Sequence, residues 1–187
     1  MTLVEQRGNE ILRRLPAGDV AGVEVGVWDG RLSSYLLHMN TRLTLWMVDR
    51  WQAVEPAHPY RQSGSTMAQS DDMTFQAIYS KACKVAQRFA DRAVLCRGES
   101  VEMAGKVPDG SLDFAFIDAD HSYDAVKQDL LAWFPKLKAG GLLCGHDWDH
   151  PKHPAKWGVR QAVEEFVADL PASVETGKNR TWFLKWD

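Results

Sequence analysis

Leu112-Asp113-Phe114-Ala115-Phe116-Ile117-Asp118-Ala119-Asp120-His121-Ser122-Tyr123 begins as an apolar run and ends in an acidic cluster. The run is too apolar to leave one face in water, as expected of a strand covered on both sides in a parallel sheet. Downstream, Gly140-Gly141-Leu142-Leu143-Cys144-Gly145-His146-Asp147 has the same form: a glycine turn, a short apolar run, then a second cluster of polar side chains. If the two strands are neighbours, both clusters emerge at one edge of a sheet. In open α/β sheets that edge, beyond the carboxyl ends of the strands, is where ligands bind.

Further candidate strands are Gly22 to Val27, Leu43 to Val48, Ala93 to Cys96 and Leu142 to Cys144. Amphipathic helices alternate with them. Phe75, Ile78, Ala82, Val85 and Phe89 share one helical face, Val126, Leu130, Trp133 and Leu137 a second, and Ala162, Val163, Phe166, Val167 and Leu170 a third. Ser173 to Thr176 and Thr181 to Trp186 are β-rich and flank the turn sequence Gly177-Lys178-Asn179, which predicts a closing antiparallel hairpin. The pattern predicts a single α/β domain over residues 1–187: a Rossmann-like, doubly wound, mostly parallel sheet with a C-terminal hairpin.

Composition narrows the function classes. The chain has 187 residues, 45% hydrophobic and 25% charged, which suits one globular core. A net charge of -3 and the lack of a long Lys/Arg run argue against nucleic acid as a partner. No run approaches a membrane span, and Met1 to Arg7 lacks the basic start and apolar stretch of a secretory signal, so the expected location is cytoplasmic. Cys83, Cys96 and Cys144 are widely spaced in apolar surroundings and read as reduced thiols rather than a disulfide or zinc framework.

Val23-Glu24-Val25-Gly26-Val27-Trp28-Asp29-Gly30-Arg31 ends the first strand and opens a helix through Leu32, Tyr35 and Leu36. Glycine there permits a sharp turn and close backbone approach to a ligand. The glycines fall at 22, 26 and 30 rather than at G-x-G-x-x-G spacing, which disfavours a nicotinamide dinucleotide, although the fold alone would admit a dehydrogenase. Asp49 closes the second strand, 19 positions beyond Gly30, where a carboxylate can accept hydrogen bonds from both ribose hydroxyls; the alternative is an acid that caps the next segment.

Glu24-x-Gly26-x-x-x-Gly30, Asp49 after the second strand, Gly98-Glu99-Ser100 after the third and Asp118 after the fourth resemble the class I S-adenosylmethionine-dependent methyltransferases. Phe116 to Tyr123, the Gly140-Gly141 turn and Gly158 to Phe166 are similar to small-molecule O-methyltransferases of the sugar and macrocin type, and more distantly to the caffeoyl-CoA and catechol enzymes. The resemblance implies that Glu24, Gly26, Trp28 and Gly30 line the methionine end of the cofactor, Asp49 the ribose, and Glu99 with Ser100 the adenine. Trp28 is bulkier than the residue expected in that turn.

Asp118, His146 and Asp147 come from the ends of two strands expected to be neighbours, which would offer three ligands to one face of a divalent ion and leave positions open for water or substrate. A metal so placed, Mg²⁺ or Mn²⁺, would lower the pKa of a substrate hydroxyl and orient it for attack on the sulfonium methyl. Metal-dependent relatives carry acid or amide residues at these positions, so His146 is a departure, and without a metal it becomes a candidate general base. For proton removal the resemblance offers Asp120, the base position in some sugar-type relatives, and His121, at a position held by lysine in the caffeoyl-CoA type. An imidazole titrates near neutrality without a large shift, whereas Asp120 can equally cap the following helix.

Residues 51–74, with Pro56, Pro59 and Gly64, lack periodicity and are read as a lid or substrate loop in which Trp51, His58, Tyr60 and Arg61 meet the acceptor, or else as a disordered excursion. Trp28, Trp51 and Trp148 lie where a ligand could stack; His150 and His153 are read as solvated loop residues outside the site. The expected activity is methyl transfer from S-adenosylmethionine to a small-molecule hydroxyl with metal assistance. The rivals are a metal-independent methyltransferase and a non-catalytic cofactor-binding protein. An amino-methylating nucleic-acid enzyme is disfavoured, because Asp118-Ala119-Asp120-His121 stands where an Asn/Asp-Pro-Pro-Tyr turn would be. A homo-oligomer paired through the predicted helix Leu3 to Leu15, or through the lid, is open.

Overall fold

The computed structural model describes residues 1–62, 65, 67–149 and 157–186; His150 and His153 lie outside the described residues. The strands are β1 (Val20–Val25), β2 (Leu43–Asp49), β3 (Ala93–Arg97), β4 (Leu112–Ile117), β5 (Leu137–Gly145), β6 (Ala172–Thr176) and β7 (Trp182–Trp186). The helices are α1 (Leu3–Leu12), α2 (Arg31–Met39), α3 (Pro59–Gln62), α4 (Asp72–Phe89), α5 (Ser100–Ala104), α6 (Tyr123–Trp133) and α7 (Val159–Val167). The seven strands form a sheet of order β3-β2-β1-β4-β5-β7-β6, parallel from β3 to β5 and antiparallel at β7. The predicted doubly wound sheet and terminal hairpin are both present. None of the described helices is long and apolar enough to cross a membrane.

Alternation along the strands sends side chains into two cores. Val23, Val25, Ala115, Ile117 and Leu143 pack with Met103, Val126, Leu130, Trp133 and Val163 from α5, α6 and α7. Leu45, Met47, Phe114, Phe116 and Cys144 pack on the opposite face with Ile11, Leu36, Ile78 and Ala82 from α1, α2 and α4. Burial of each large aliphatic side chain stabilises by about 1.5–3 kcal/mol, so the helical faces read from spacing are what hold the layers to the sheet.

Several boundaries differ from expectation, and Leu137, expected on the helical face of Val126, Leu130 and Trp133, instead opens β5 because α6 ends at Trp133. α1 stops at Leu12 rather than Leu15. β1 runs from Val20 to Val25 rather than from Gly22 to Val27, because Gly26 leaves the strand at φ +91°. Gly140-Gly141 is not a turn before the fifth strand but lies inside β5, which starts at Leu137. Gly140, at φ +74°, sits where the β4–β5 register shifts between Leu112 and Phe114, so the pair forms an irregularity of the kind that bends a strand.

The sheet order reverses at β1, and the loops leaving it stay in register with the neighbouring strands. Gly26 N–H donates to Val48 O, Gly98 N–H to Asp49 O, Asp118 N–H to Val25 O and His146 N–H to Ile117 O, at 2.8, 3.0, 2.8 and 3.1 Å. The ladder thereby carries all four loop starts to one level at the carboxyl edge.

Candidate functional site

A cavity of about 890 Å³ opens at that edge, at the upper end of the range for small-molecule sites. One end is built on the turn after β1. A Cβ on Gly26 would lie 2.1 Å from the Asp118 carbonyl oxygen, so the two strand ends approach this closely only because residue 26 has no side chain. Trp28 takes a positive φ of 54°, uncommon for a bulky residue. Its backbone is held on both sides: its N–H donates to Asp49 Oδ2 at 2.9 Å, and its carbonyl accepts from Trp51 Nε1 at 2.7 Å. Asp49 Oδ1 accepts from Trp51 N–H at 2.9 Å. Each Asp49 oxygen keeps a further lone pair, so the carboxylate can still accept from a ribose. Burial raises its pKa, opposed by those two backbone donors.

Glu24 is buried beneath the turn and accepts a hydrogen bond from Ser33 Oγ of α2. Burial pushes its pKa up to about 8, with the Ser33 bond opposing and the charge of Asp118 adding. Glu99 is largely exposed and pairs with Arg50 at 3.2 Å, whereas Ser100 Oγ accepts from Trp133 Nε1 at 2.9 Å and hydrogen-bonds Asp129. Asp129, buried on α6 and lining the cavity, has a pKa pushed up to about 7 by burial. Every residue assigned to the cofactor (Glu24, Gly26, Trp28, Asp49, Glu99 and Ser100) lines this cavity except Gly30, which at φ +79° starts α2 behind the turn.

The other end holds Asp118, His121, His146 and Asp147. His121 Nε2 lies 3.4 Å from Asp118 Oδ1 and 3.1 Å from Asp147 Oδ2; His146 Nδ1 lies 3.5 and 3.0 Å from the same two oxygens. His146 and Asp147 come together because Asp147 turns back at φ +56°, a conformation that non-glycine residues hold at a cost and that clusters at functional sites. Burial alone would lower the His121 pKa, but hydrogen bonds to Asp118 and Asp147 raise it to about 9. His146 shows the same contest with the same outcome, its pKa raised chiefly by Asp118. Burial would raise both acids, yet Arg7 and His146 hold Asp118, and His121 and His146 hold Asp147, below the usual carboxylate range.

Ligand atoms of Asp118, His121 and Asp147 all lie within 4.8 Å of one another, and Asp147 Oδ1 is buried without a hydrogen bond. Two carboxylates, one of them with an oxygen that makes no hydrogen bond, and an imidazole fit a divalent ion. The histidine grouped with the acids is His121, which was assigned to catalysis; His146, assigned as a ligand, also faces both acids through Nδ1 but turns Nε2 to Arg7 at 3.0 Å.

Asp120 lines the cavity and its Oδ1 accepts from Ser122 N–H at 2.8 Å, so the acid also shapes the entry to α6. Within the 51–74 loop, His58 and Tyr60 line the cavity, and the Tyr60 hydroxyl hydrogen-bonds Ser65, with its pKa pushed up to about 12 by burial. Trp51 does not meet a ligand: it is fully buried in the α2–α4 core. Arg61 is held by the carbonyls of Val54 and Gln69 within the loop, at 3.3 and 3.5 Å. Trp148 packs at the edge of the other core with Arg160 5.7 Å from its ring.

Three residues join the site that sequence reasoning did not name. Arg7 reaches from α1 to Asp118, Nη1 to Oδ2 at 2.5 Å. Arg180, in the hairpin turn, brings Nε to 3.2 Å from Asp147 Oδ1 without aligning for a hydrogen bond. Trp157 stacks on His121 at 4.1 Å and 9°. Gly177-Lys178-Asn179 announced the turn but not the direction of the next side chain, and nothing around Arg7 distinguishes it from any basic residue on a helix.

A model of a methyltransferase-domain family matches residues 23–148. No curated protein sequence matches the chain. Among solved structures, the calicheamicin methyltransferase CalS11 superposes with a TM-score of 0.69 at 18% identity, covering 98% of this chain and 77% of that one. The O-methyltransferase NovP gives 0.63 at 20%, covering 98% and 77%. A SAM-dependent methyltransferase from Aquifex aeolicus gives 0.63 at 13%, covering 97% and 89%. At these identities the likeness is one of fold, whereas the family match spans more than half of the chain and takes in the glycine turn, Asp49 and both acidic clusters. The chain belongs to the class I S-adenosylmethionine-dependent methyltransferases.

Proposed function

We propose that the protein transfers the methyl group of S-adenosylmethionine to a hydroxyl of a small molecule, with a divalent ion, Mg²⁺ or Mn²⁺, assisting at Asp118 and Asp147. The observation that carries the reading is the shared cavity: the Glu24 to Gly30 turn and Asp49 at one end, two carboxylates facing two imidazoles at the other. CalS11 is described as a TDP-rhamnose 3'-O-methyltransferase and NovP as an O-methyltransferase, which favours a hydroxyl acceptor.

Asp49 orients the cofactor through its ribose and Glu24 lies under its methionine end. When bound, the ion supplies a Lewis acid that acidifies the acceptor hydroxyl. Asp118 and Asp147 hold it there, with His121 or His146 as the nitrogen ligand. Asp120 is the favoured proton acceptor: it lines the cavity outside the ion-paired cluster, whereas the imidazoles of His121 and His146 are turned to the two carboxylates. His58 and Tyr60 of the 51–74 loop shield the reacting oxygen from water. One observation favours the metal-independent alternative: Asp118 and Asp147 are already engaged by Arg7, His121 and His146.

Titrating chelator-treated protein with S-adenosylmethionine by calorimetry, then following S-adenosylhomocysteine release on sugar and catechol panels with and without Mn²⁺, tests the reading. One-to-one cofactor binding and metal-stimulated turnover support it; full turnover in chelator moves the function to the metal-independent form. Absence of cofactor binding defeats it.

A further inference from the structure

We infer that Arg7 is a built-in competitor for the divalent cation, so that a metal ion binds the Asp118–Asp147 pair by displacing the Arg7 guanidinium. The inference rests on the metal reading above. Arg7 Nη1 sits 2.5 Å from Asp118 Oδ2 and Nη2 lies 3.0 Å from His146 Nε2. A guanidinium has only donors, so His146 Nε2 is the acceptor of that contact and its Nδ1 carries the proton towards Asp147 Oδ2 at 3.0 Å. Arg7 thus occupies one carboxylate oxygen and fixes the tautomer of a neighbouring candidate ligand. Both orientations oppose a metal, which needs the same oxygen and an unprotonated nitrogen turned towards it.

The arginine is presented by a docked helix rather than a loose terminus. A Cβ on Gly8 would lie 2.3 Å from the Tyr35 ring, so α1 seats against α2 only because residue 8 is glycine. Arg14 and Arg13 bond Glu10, and Arg14 continues to Glu175 of β6. Thr2 and Glu5 cap the helix reciprocally. The backbone holds Arg7 at the site, so displacement needs movement of the side chain alone, and because its Nε is buried without a partner, leaving breaks no bond at that atom.

The test is Mn²⁺ binding to the chelator-treated protein by calorimetry, comparing the unmutated chain with Arg7→Met and Arg180→Met. Removing a positive charge in contact with the ligand carboxylate raises Mn²⁺ affinity about tenfold or more in Arg7→Met, and less in Arg180→Met, whose guanidinium makes no aligned bond to the acids. Equal or weaker binding by Arg7→Met, or the same gain in both variants, overturns the inference and leaves the metal site standing. Mn²⁺ binding to none of the three proteins removes the metal reading itself, and the competition with it. If Arg7→Met does not fold, the unmutated protein decides. Phenylglyoxal modification of Arg7, read by peptide mass spectrometry, accelerates severalfold on adding Mn²⁺ if the ion expels the guanidinium. A rate that is unchanged or slower contradicts it.

Discussion

The indole N–H of Trp51 donates to the carbonyl of Trp28 at 2.7 Å, and both residues hold positive φ angles, 46° and 54°. Asp49 bonds the backbone N–H of each. One carboxylate and one indole thus fix two strained turns against each other at the cofactor end of the cavity. Trp51→Phe keeps the ring in the core and removes only the donor, leaving the Trp28 carbonyl unpaired at a cost of about 1–3 kcal/mol. Urea unfolding should register that loss, and calorimetry a weaker S-adenosylmethionine complex.

Gly26→Ala tests the closeness of the β1 and β4 ends. The new methyl would meet the Asp118 carbonyl at 2.1 Å while φ stayed at +91°. Both effects act together, placing the loss at the upper end of single substitutions, ~3 kcal/mol, or roughly 6–12 °C in Tm for a chain of this size. A scanning calorimeter trace within ~2 °C of the unmutated protein would contradict the described contact.

Glu24 gives stability a pH dependence of known sign. Its folded pKa, about 8, lies above the ordinary 4.5. Between those values the unfolded chain has released the proton while the folded protein keeps it, so stability falls as pH rises through that window and levels off above it. Glu24→Gln lacks the proton and the slope. The difference in unfolding free energy between the two proteins, measured by urea at several pH values, should therefore shift against the unmutated chain as pH rises.

Asp120→Asn preserves the hydrogen bond to Ser122 N–H through its side-chain oxygen and removes the base. Turnover should drop by about 10²–10⁴ with S-adenosylmethionine affinity within ~2-fold of the original. An unchanged kcat on a responsive acceptor would transfer the proton-accepting role to His121 or His146.

Much of this architecture was legible in the sequence because hydrophobic runs and glycine punctuation are local. Gly22 to Val27, Leu43 to Val48 and Leu112 to Ile117 announce buried strands by composition alone, and strand order then carries Glu24, Asp49, Asp118 and Asp147 to one edge. What stayed hidden is set by side-chain direction. Trp51 follows Asp49 so closely that it looked like a ligand-facing residue, but its positive φ turns the ring into the core. His121 and His146 are both near the acids in sequence, and only the turn at Asp147 decides which nitrogen faces which oxygen. Gly140-Gly141 reads as a turn on composition, whereas pairing with β4 keeps it within a strand.

The counter-charges of the acid pair come from opposite ends of the chain. Asp118 meets a guanidinium 111 residues earlier in sequence, and Asp147 faces one supplied by the turn just before the last strand. Both arginine contacts are complete only when the first helix and the last hairpin have docked. The site therefore depends on contacts far apart in sequence, each of which carries a loop-closure cost. A bulky fusion ahead of Met1 would act on the chemistry of the cavity as well as on the fold.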